Sequence, residues 1–299
     1  MHLGALSASL AFVWWGLFPL YFRLVTGIPP GEVLAHRIVW CMLFLAGVLT
    51  LRRQWTWFPQ VLRQPKVLAA FTASALLIAA NWLTYIWSVN NDHVIDASLG
   101  YFITPLFNVL LGYTLLKERP RRVQWIALAI AAFGVAWLTM QTGKLPWIAL
   151  VLGITFACYG LLRKVAALGP LEGLTLETIV LGPLALAALL YWARAGTGLF
   201  PADALATNVW LIALGPLTAV PLLLFAAGAR RLSMTALGLL QYIGPTIQLA
   251  VGVWAFGEPF GGARLISFAC IWLALVIYTF DGWRHSAPRR TSTFVDPPR

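Results

Sequence analysis

Ten long apolar runs, joined by short polar or basic connections, account for nearly the whole chain. They fall near Leu3–Val25, Glu32–Leu51, Val67–Val89, Val94–Leu116, Arg122–Met140, Pro146–Leu162, Glu172–Trp192, Ala206–Ala229, Met234–Gly257 and Gly262–Phe280. Each is long enough to cross a bilayer as a helix, which satisfies its own backbone hydrogen bonds in lipid. A membrane β-barrel would need ~10-residue segments of alternating polarity, and none occur. The pattern therefore predicts an all-α integral membrane protein with ten transmembrane helices.

Several runs carry polar residues at helical spacing. In "LGYFITPLFNVLLGYTLLKERP", Tyr101, Pro105 and Asn108 lie at i, i+4 and i+7 and share one helix face. A shift of 140 residues aligns the two halves of the chain over about a hundred positions and gives that face a partner. Pro105 falls on Pro245, Gly112 on Gly252 and Glu118 on Glu258, while Tyr101 and Asn108 meet Gln241 and Gln248. Pro30 and Glu32 likewise meet Pro170 and Glu172, and Arg37 meets Glu177.

Five spans per half is an odd number, so the second half must enter the membrane inverted. Inverted repeats are a feature of secondary transporters, whose solute site lies near the midplane between the repeats. The expected units are 1–140, 146–281 and a polar tail, 282–299, that is disordered and cytoplasmic.

A proline frees the carbonyl four residues earlier, here at Tyr101 and Gln241. The two matched helices are expected to turn kinked polar stripes towards one cavity, with Pro105, Gly112, Pro245 and Gly252 as hinges. Packing glue is the alternative use of such Tyr, Asn and Gln residues. A third stripe, Asn81, Tyr85 and Ser88, meets Pro221, Phe225 and Gly228, so its symmetry is broken. A shift of 144 pairs Trp15-Gly16 with Tyr159-Gly160, which suit a close helix crossing or a cavity wall.

Composition narrows the class. The chain is 60% hydrophobic and 10% charged, with mean hydropathy +0.80. A soluble domain carries roughly 25% charged residues, so this chain has too little to face water with. The net charge of +11 does not signal nucleic acid, because the basic residues sit in short loops between apolar runs. Of the 21 Lys and Arg, 16 lie after the second, fourth, sixth and eighth runs or in the tail. The positive-inside rule then places both termini in the cytoplasm. Cys41, Cys158 and Cys270 lie in apolar runs and read as free thiols.

Charges inside apolar runs need a cavity or a partner. Arg37 is a candidate for a solute anion and Glu177 for a cation or a proton. The inverted repeat puts them on opposite sides of the midplane, at the cavity's two edges. His36 adjoins Arg37 and is a further candidate for the lining, as a group that titrates near neutral pH. Helical neighbours point ~100° apart, however, so the two need not share a site. His93 in "NNDHVID" lacks the companions of a metal site. The chain contains no Walker A, HExxH or GxSxG motif and no Cys pair, so no cofactor is expected and no enzymatic set emerges.

The segments "LAHRIVW", "NWLTYIWSVNNDHVIDASLGYFITPLFNVLLGYTLLKERP", "YGLLRK", "GLTLET" and "LLQYIGPTIQLAVGVWAFGEPF" resemble RarD-type permeases. These belong to the EamA family of the drug/metabolite transporter superfamily, and the resemblance spans nearly the whole chain. It implies two inverted five-helix repeats, a bacterial inner-membrane location and transport of a small metabolite or drug. Amino-acid-like or chloramphenicol-like solutes, moved outward, are the expected class. A membrane-embedded enzyme, a lipid-handling protein and a passive channel remain alternatives.

Overall fold

The computed structural model describes residues 2–115, 117, 121–201, 204–229, 231 and 240–285. Glu118, the first six residues of the expected ninth run and the tail beyond residue 285 lie outside these described residues.

The helices follow the apolar runs closely. They are α1 (His2–Arg23), α2 (Pro30–Leu51), α3 (Pro65–Asn90), α4 (Val94–Leu115) and α5 (Arg122–Thr142). The later ones are α6 (Trp147–Val165), α7 (Pro170–Ala195), α8 (Leu205–Ala229), α9 (Ile243–Ala250) and α10 (Ala263–His285). A short helix, Phe58–Leu62, joins α2 to α3. Its Phe58 packs with Trp57, Phe71 and Leu176, so the loop is anchored by aromatic burial.

Local chemistry sets several boundaries. Proline opens α2, α3 and α7, where its fixed φ suits the first turn and its missing N–H is not needed. Left-handed glycines close α5 at Gly143 and α7 at Gly196, with φ of 64° and 67°.

Among the described residues, seven helices are long and apolar enough to cross a membrane by length and composition. Three shorter apolar stretches follow the same pattern, namely Trp147–Arg163, Ile243–Ala255 and Ala263–Ile277. On α1, Leu3, Leu6, Leu10, Val13, Leu17 and Leu20 are all exposed. Their alternating spacing of three and four makes an outward apolar stripe, which water would not tolerate and lipid accepts.

The ninth run departs from its expected form. Instead of one helix over Met234–Gly257, the described part turns at Tyr242, resumes as α9 and ends in a π-turn at Val251–Ala255. By contrast α4 passes through Pro105 without interruption. The two proline helices are therefore not a matched pair in shape.

In the packing, α5 lies against α10, α4 against α6, α1 against α8 and α9, α2 against α7 and α8, and α3 against α6 and α7. Close approach at two crossings needs glycine. A Cβ on Gly16 would sit 2.7 Å from Ile247 Cβ of α9, and one on Gly100 would sit 2.9 Å from the Ala149 carbonyl of α6. Small residues let helix backbones meet where lipid supplies no hydrophobic drive between them.

Candidate functional site

A central cavity, open at its mouth, lies among these helices. Its wall takes Phe12, Trp15 and Phe18 from α1, Arg37 from α2, and Ile78, Asn81, Trp82 and Tyr85 from α3. Tyr101 of α4, Phe156 of α6 and Leu222 of α8 continue it, and Gln241, Gly244, Pro245 and Gln248 close the side around α9. The wall is mainly apolar with a few polar groups, as small-molecule sites are.

Arg37 is 2% exposed and fixed from three directions. Its Nε donates to Thr218 Oγ1 of α8 at 2.9 Å. The guanidinium lies 4.1 Å from the Trp82 ring centre, with Phe18 and Phe22 at 5.5 and 5.8 Å. Such cation–π contacts are strongest where water is excluded. Among the described residues, no carboxylate pairs with Arg37 and its Nη1 has no hydrogen-bond partner.

Asn81 serves as a junction between three helices. Its amide donates to the Leu152 carbonyl at 3.0 Å and to Thr155 Oγ1 at 2.9 Å, both on α6. Its oxygen accepts the Tyr101 hydroxyl at 3.0 Å. Tyr85 packs on Tyr101 with ring centres 5.9 Å apart, and its own hydroxyl has no partner. Gln248 Nε2 donates to the Trp15 carbonyl at 3.1 Å, leaving its Oε1 unpartnered. Both uses foreseen for these polar residues, interhelical bonding and cavity lining, occur at the same side chains.

The structure thus brings together Trp15, Arg37, Asn81, Tyr85, Tyr101, Gln241 and Gln248, with the hinge candidate Pro245 beside them. Other candidates lie elsewhere. Asn108 is half-buried beyond Pro105 and is not part of the wall. Pro105 and Gly112 are buried within α4, and Gly252 packs against Val94 and Ile95 at the start of α4. His36 turns away from Arg37, accepting Trp40 Nε1 at 3.2 Å and stacking near Phe200 at 4.8 Å.

Glu177 belongs to a separate buried cluster rather than to the cavity's far edge. Its Oε1 accepts Ser74 Oγ at 2.5 Å and lies 3.6 Å from Arg163 Nη1. The Tyr159 hydroxyl donates to its Oε2 at 3.4 Å. The physical reason is position: Glu177 lies two turns into α7, at the end where α6 finishes with Arg163. There a cation is nearer than the cavity.

Among the described residues, Cys41 is buried, Cys158 and Cys270 are half-buried, and all three are free. Near the start of α4 a polar knot joins distant segments. Glu258 accepts the amides of Val94 and Ile95 at 2.7 and 3.0 Å. Asp96 meets both His93, at 3.2 Å, and Arg264, at 3.4 Å.

The cavity residues not foreseen were Phe12, Phe18, Ile78, Trp82, Phe156, Leu222 and Gly244. One signal could have found two of them. The shift of 144 that pairs Trp15 with Tyr159 also pairs Phe12 with Phe156. The contact of Trp82 with Arg37 leaves no trace in residue spacing.

An all-helical fold with an apolar exterior and an aromatic, partly polar interior cavity defines a multi-pass membrane protein with a central candidate site. The profile of the EamA-like transporter family matches residues 2–140. An uncharacterized transporter of Pseudomonas aeruginosa is 48% identical, with 92% of each chain covered. Protein RarD of Escherichia coli is 42% identical, covering 93% of this chain and 94% of the relative. A second Pseudomonas aeruginosa relative, named chloramphenicol-sensitive protein RarD, is 34% identical, covering 94% of this chain and 93% of its own. A crystal structure 19% identical in sequence superposes with a TM-score of 0.63, covering 94% of this chain and 99% of the other, and so shares the fold.

The chain belongs to the RarD-type permeases of the EamA family, within the drug/metabolite transporter superfamily. It is a membrane transporter-like protein of the bacterial inner membrane.

Proposed function

We propose that the protein is a secondary-active transporter that moves a small metabolite or drug-like solute outward across the inner membrane by alternating access. The observation that carries this reading is the central cavity, whose wall draws on helices from both sequence halves. The expected solutes are amino-acid-like or chloramphenicol-like, the latter after the name of one relative.

The helix contacts support two inverted repeats, 1–140 and 146–281, around that cavity. A shift of one repeat turns α1–α5 into α6–α10. Under it, the contact of α4 with α6 becomes that of α9 with α1, and α2 with α8 becomes α7 with α3. The contact of α1 with α8 becomes that of α6 with α3, while α5 with α10, α2 with α7 and α4 with α9 map onto themselves. Paired contacts of this kind let one half rock against the other around a fixed site. In this reading all ten apolar segments cross the membrane, with both termini cytoplasmic.

Flux through the purified protein in liposomes tests the proposal. Saturable movement of an unchanged solute, accelerated by solute on the far side, is the expected result. Unsaturable flux would mark a passive channel, and chemical conversion of the solute would mark an enzyme. Resistance of an overexpressing strain to one compound would identify the solute and its outward direction.

A further inference from the structure

We propose that the solute is a monoanionic carboxylate with an aromatic or apolar body, held by its headgroup at Arg37, Tyr85 and Gln241. This rests on the transport reading above, but replaces the amino-acid-like or chloramphenicol-like solutes expected there with a class drawn from the chemistry of the site itself.

Four polar atoms of buried cavity residues have no hydrogen-bond partner: Arg37 Nη1, Tyr85 Oη, Gln241 Nε2 and Gln248 Oε1. The side chains carrying them are 2, 3, 6 and 3% exposed. Buried polar groups in folded proteins are nearly always paired, so these four leave hydrogen-bonding capacity around one space that a ligand can use. Arg37 has already committed its Nε to Thr218 and its ring-facing surface to Trp82. One edge of the guanidinium remains for a ligand.

The complement of that set is definite. Arg37 Nη1 and Gln241 Nε2 are donors, and the Tyr85 hydroxyl can donate as well. Together they match the two oxygens of a carboxylate, for which a charge-assisted bond from Arg is the strong contact. Gln248 Oε1 is an acceptor and suits a neutral N–H or O–H near that carboxylate.

Charge fixes the valence. Among the described residues, Arg37 is the only charged one in the wall, and no acidic side chain lines it. A monoanion neutralises the site, whereas a dianion would leave one charge in excess. A zwitterion would place its ammonium where no carboxylate waits. Phe12, Trp15, Phe156, Ile78 and Leu222 then offer an apolar wall to the rest of the molecule. Inside-negative potential drives such an anion outward, in keeping with export.

The test uses three probes of one shape against the full-length protein in detergent: phenylacetate, phenylacetamide and L-phenylalanine. Calorimetry should show phenylacetate binding at least about tenfold tighter than either of the others, as expected for a buried charge-assisted bond. Arg37→Gln should erase the gap between acid and amide, Arg37→Lys should keep most of it, and Tyr85→Phe should narrow it. Equal binding of acid and amide by the wild-type protein, tighter binding of the zwitterion, or binding of none would overturn the proposal. The wild-type series decides even where a variant fails to fold. Preference for phenylacetate without any flux in liposomes would keep this headgroup site and remove the transport reading. Saturable flux of some solute, with no preference for the acid, would do the reverse.

Discussion

Arg37 of α2 and Glu177 of α7, opposite charges 140 positions apart, each bind a hydroxyl of the other half instead of each other. Arg37 takes Thr218 of α8 at 2.9 Å, and Glu177 takes Ser74 of α3 at 2.5 Å. The shift that relates the charges also relates the helices that hold them. Sequence symmetry has here been used for two unlike purposes, an unpaired cation beside a cavity and a paired carboxylate beside Arg163.

That division predicts unlike losses. Arg37→Gln should weaken solute binding in protein that still folds. Glu177→Gln should leave binding near wild type but lower thermal stability, because Arg163 loses its counter-charge. Breaking a fully buried pair costs ~3–5 kcal/mol, and the partial exposure of Arg163 places this case below that range. Among the described residues the two share no hydrogen-bond or ion-pair partner, so their stability effects should add within about 0.5 kcal/mol in the double variant. Strong non-additivity in unfolding measurements would mean that the charges communicate.

The proline helices should also differ. The ninth run turns at Tyr242, just before α9, and ends in a π-turn, while α4 runs unbroken through Pro105, so movement should be easier around α9. Pro245→Ala should therefore slow transport more than Pro105→Ala at equal expression. Equal rates for both variants and the wild type would make the prolines purely architectural.

Gly16 and Gly160 are repeat mates with unlike surroundings. A Cβ at Gly16 meets Ile247 at 2.7 Å, whereas one at Gly160 meets nothing within 4 Å. Overpacking at a tight crossing costs ~1–3 kcal/mol, so Gly16→Ala should lower stability by about that amount. Gly160→Ala should be neutral or slightly stabilising in the same thermal assay.

Glu258 fixes the start of α4 from a segment more than 160 residues away. Glu258→Ala should strand the amides of Val94 and Ile95 and cost about 1–2 kcal/mol, the scale of a lost helix cap. Glu258→Gln, which keeps one acceptor oxygen, should cost less. Identical melting of all three proteins would show that water replaces the carboxylate.

Orientation is open to a direct check. Reporter fusions at Arg290 and within "QTGKLP" should report opposite sides of the membrane, with Arg290 cytoplasmic. The same side for both would remove the ten-span arrangement.

Much of the site was legible because its polar members sit in strongly apolar runs. Asn81, Tyr85, Tyr101, Gln241 and Gln248 stood out by contrast, and helical spacing placed them on shared faces. Asn108 had the same credentials and lies outside the wall. Spacing reports which side of a helix a residue occupies, but not what that stretch of helix packs against. Two aromatic members were invisible for the opposite reason: Phe18 and Trp82 look like any other apolar residue of their helices.

The sequence by itself determined the helices, because a run of about twenty apolar residues has no other stable form in lipid. It also determined the pairing of the two halves, since Pro105 with Pro245 and Arg37 with Glu177 are matches of position alone. Tertiary structure decided which matches became alike in role. Arg37 enters the cavity because α1 and α3 bring Phe18 and Trp82 against it, and Glu177 turns from it because Ser74, Tyr159 and Arg163 are within reach. A buried charge settles where its nearest partners compensate its lost hydration, and those partners come from other helices.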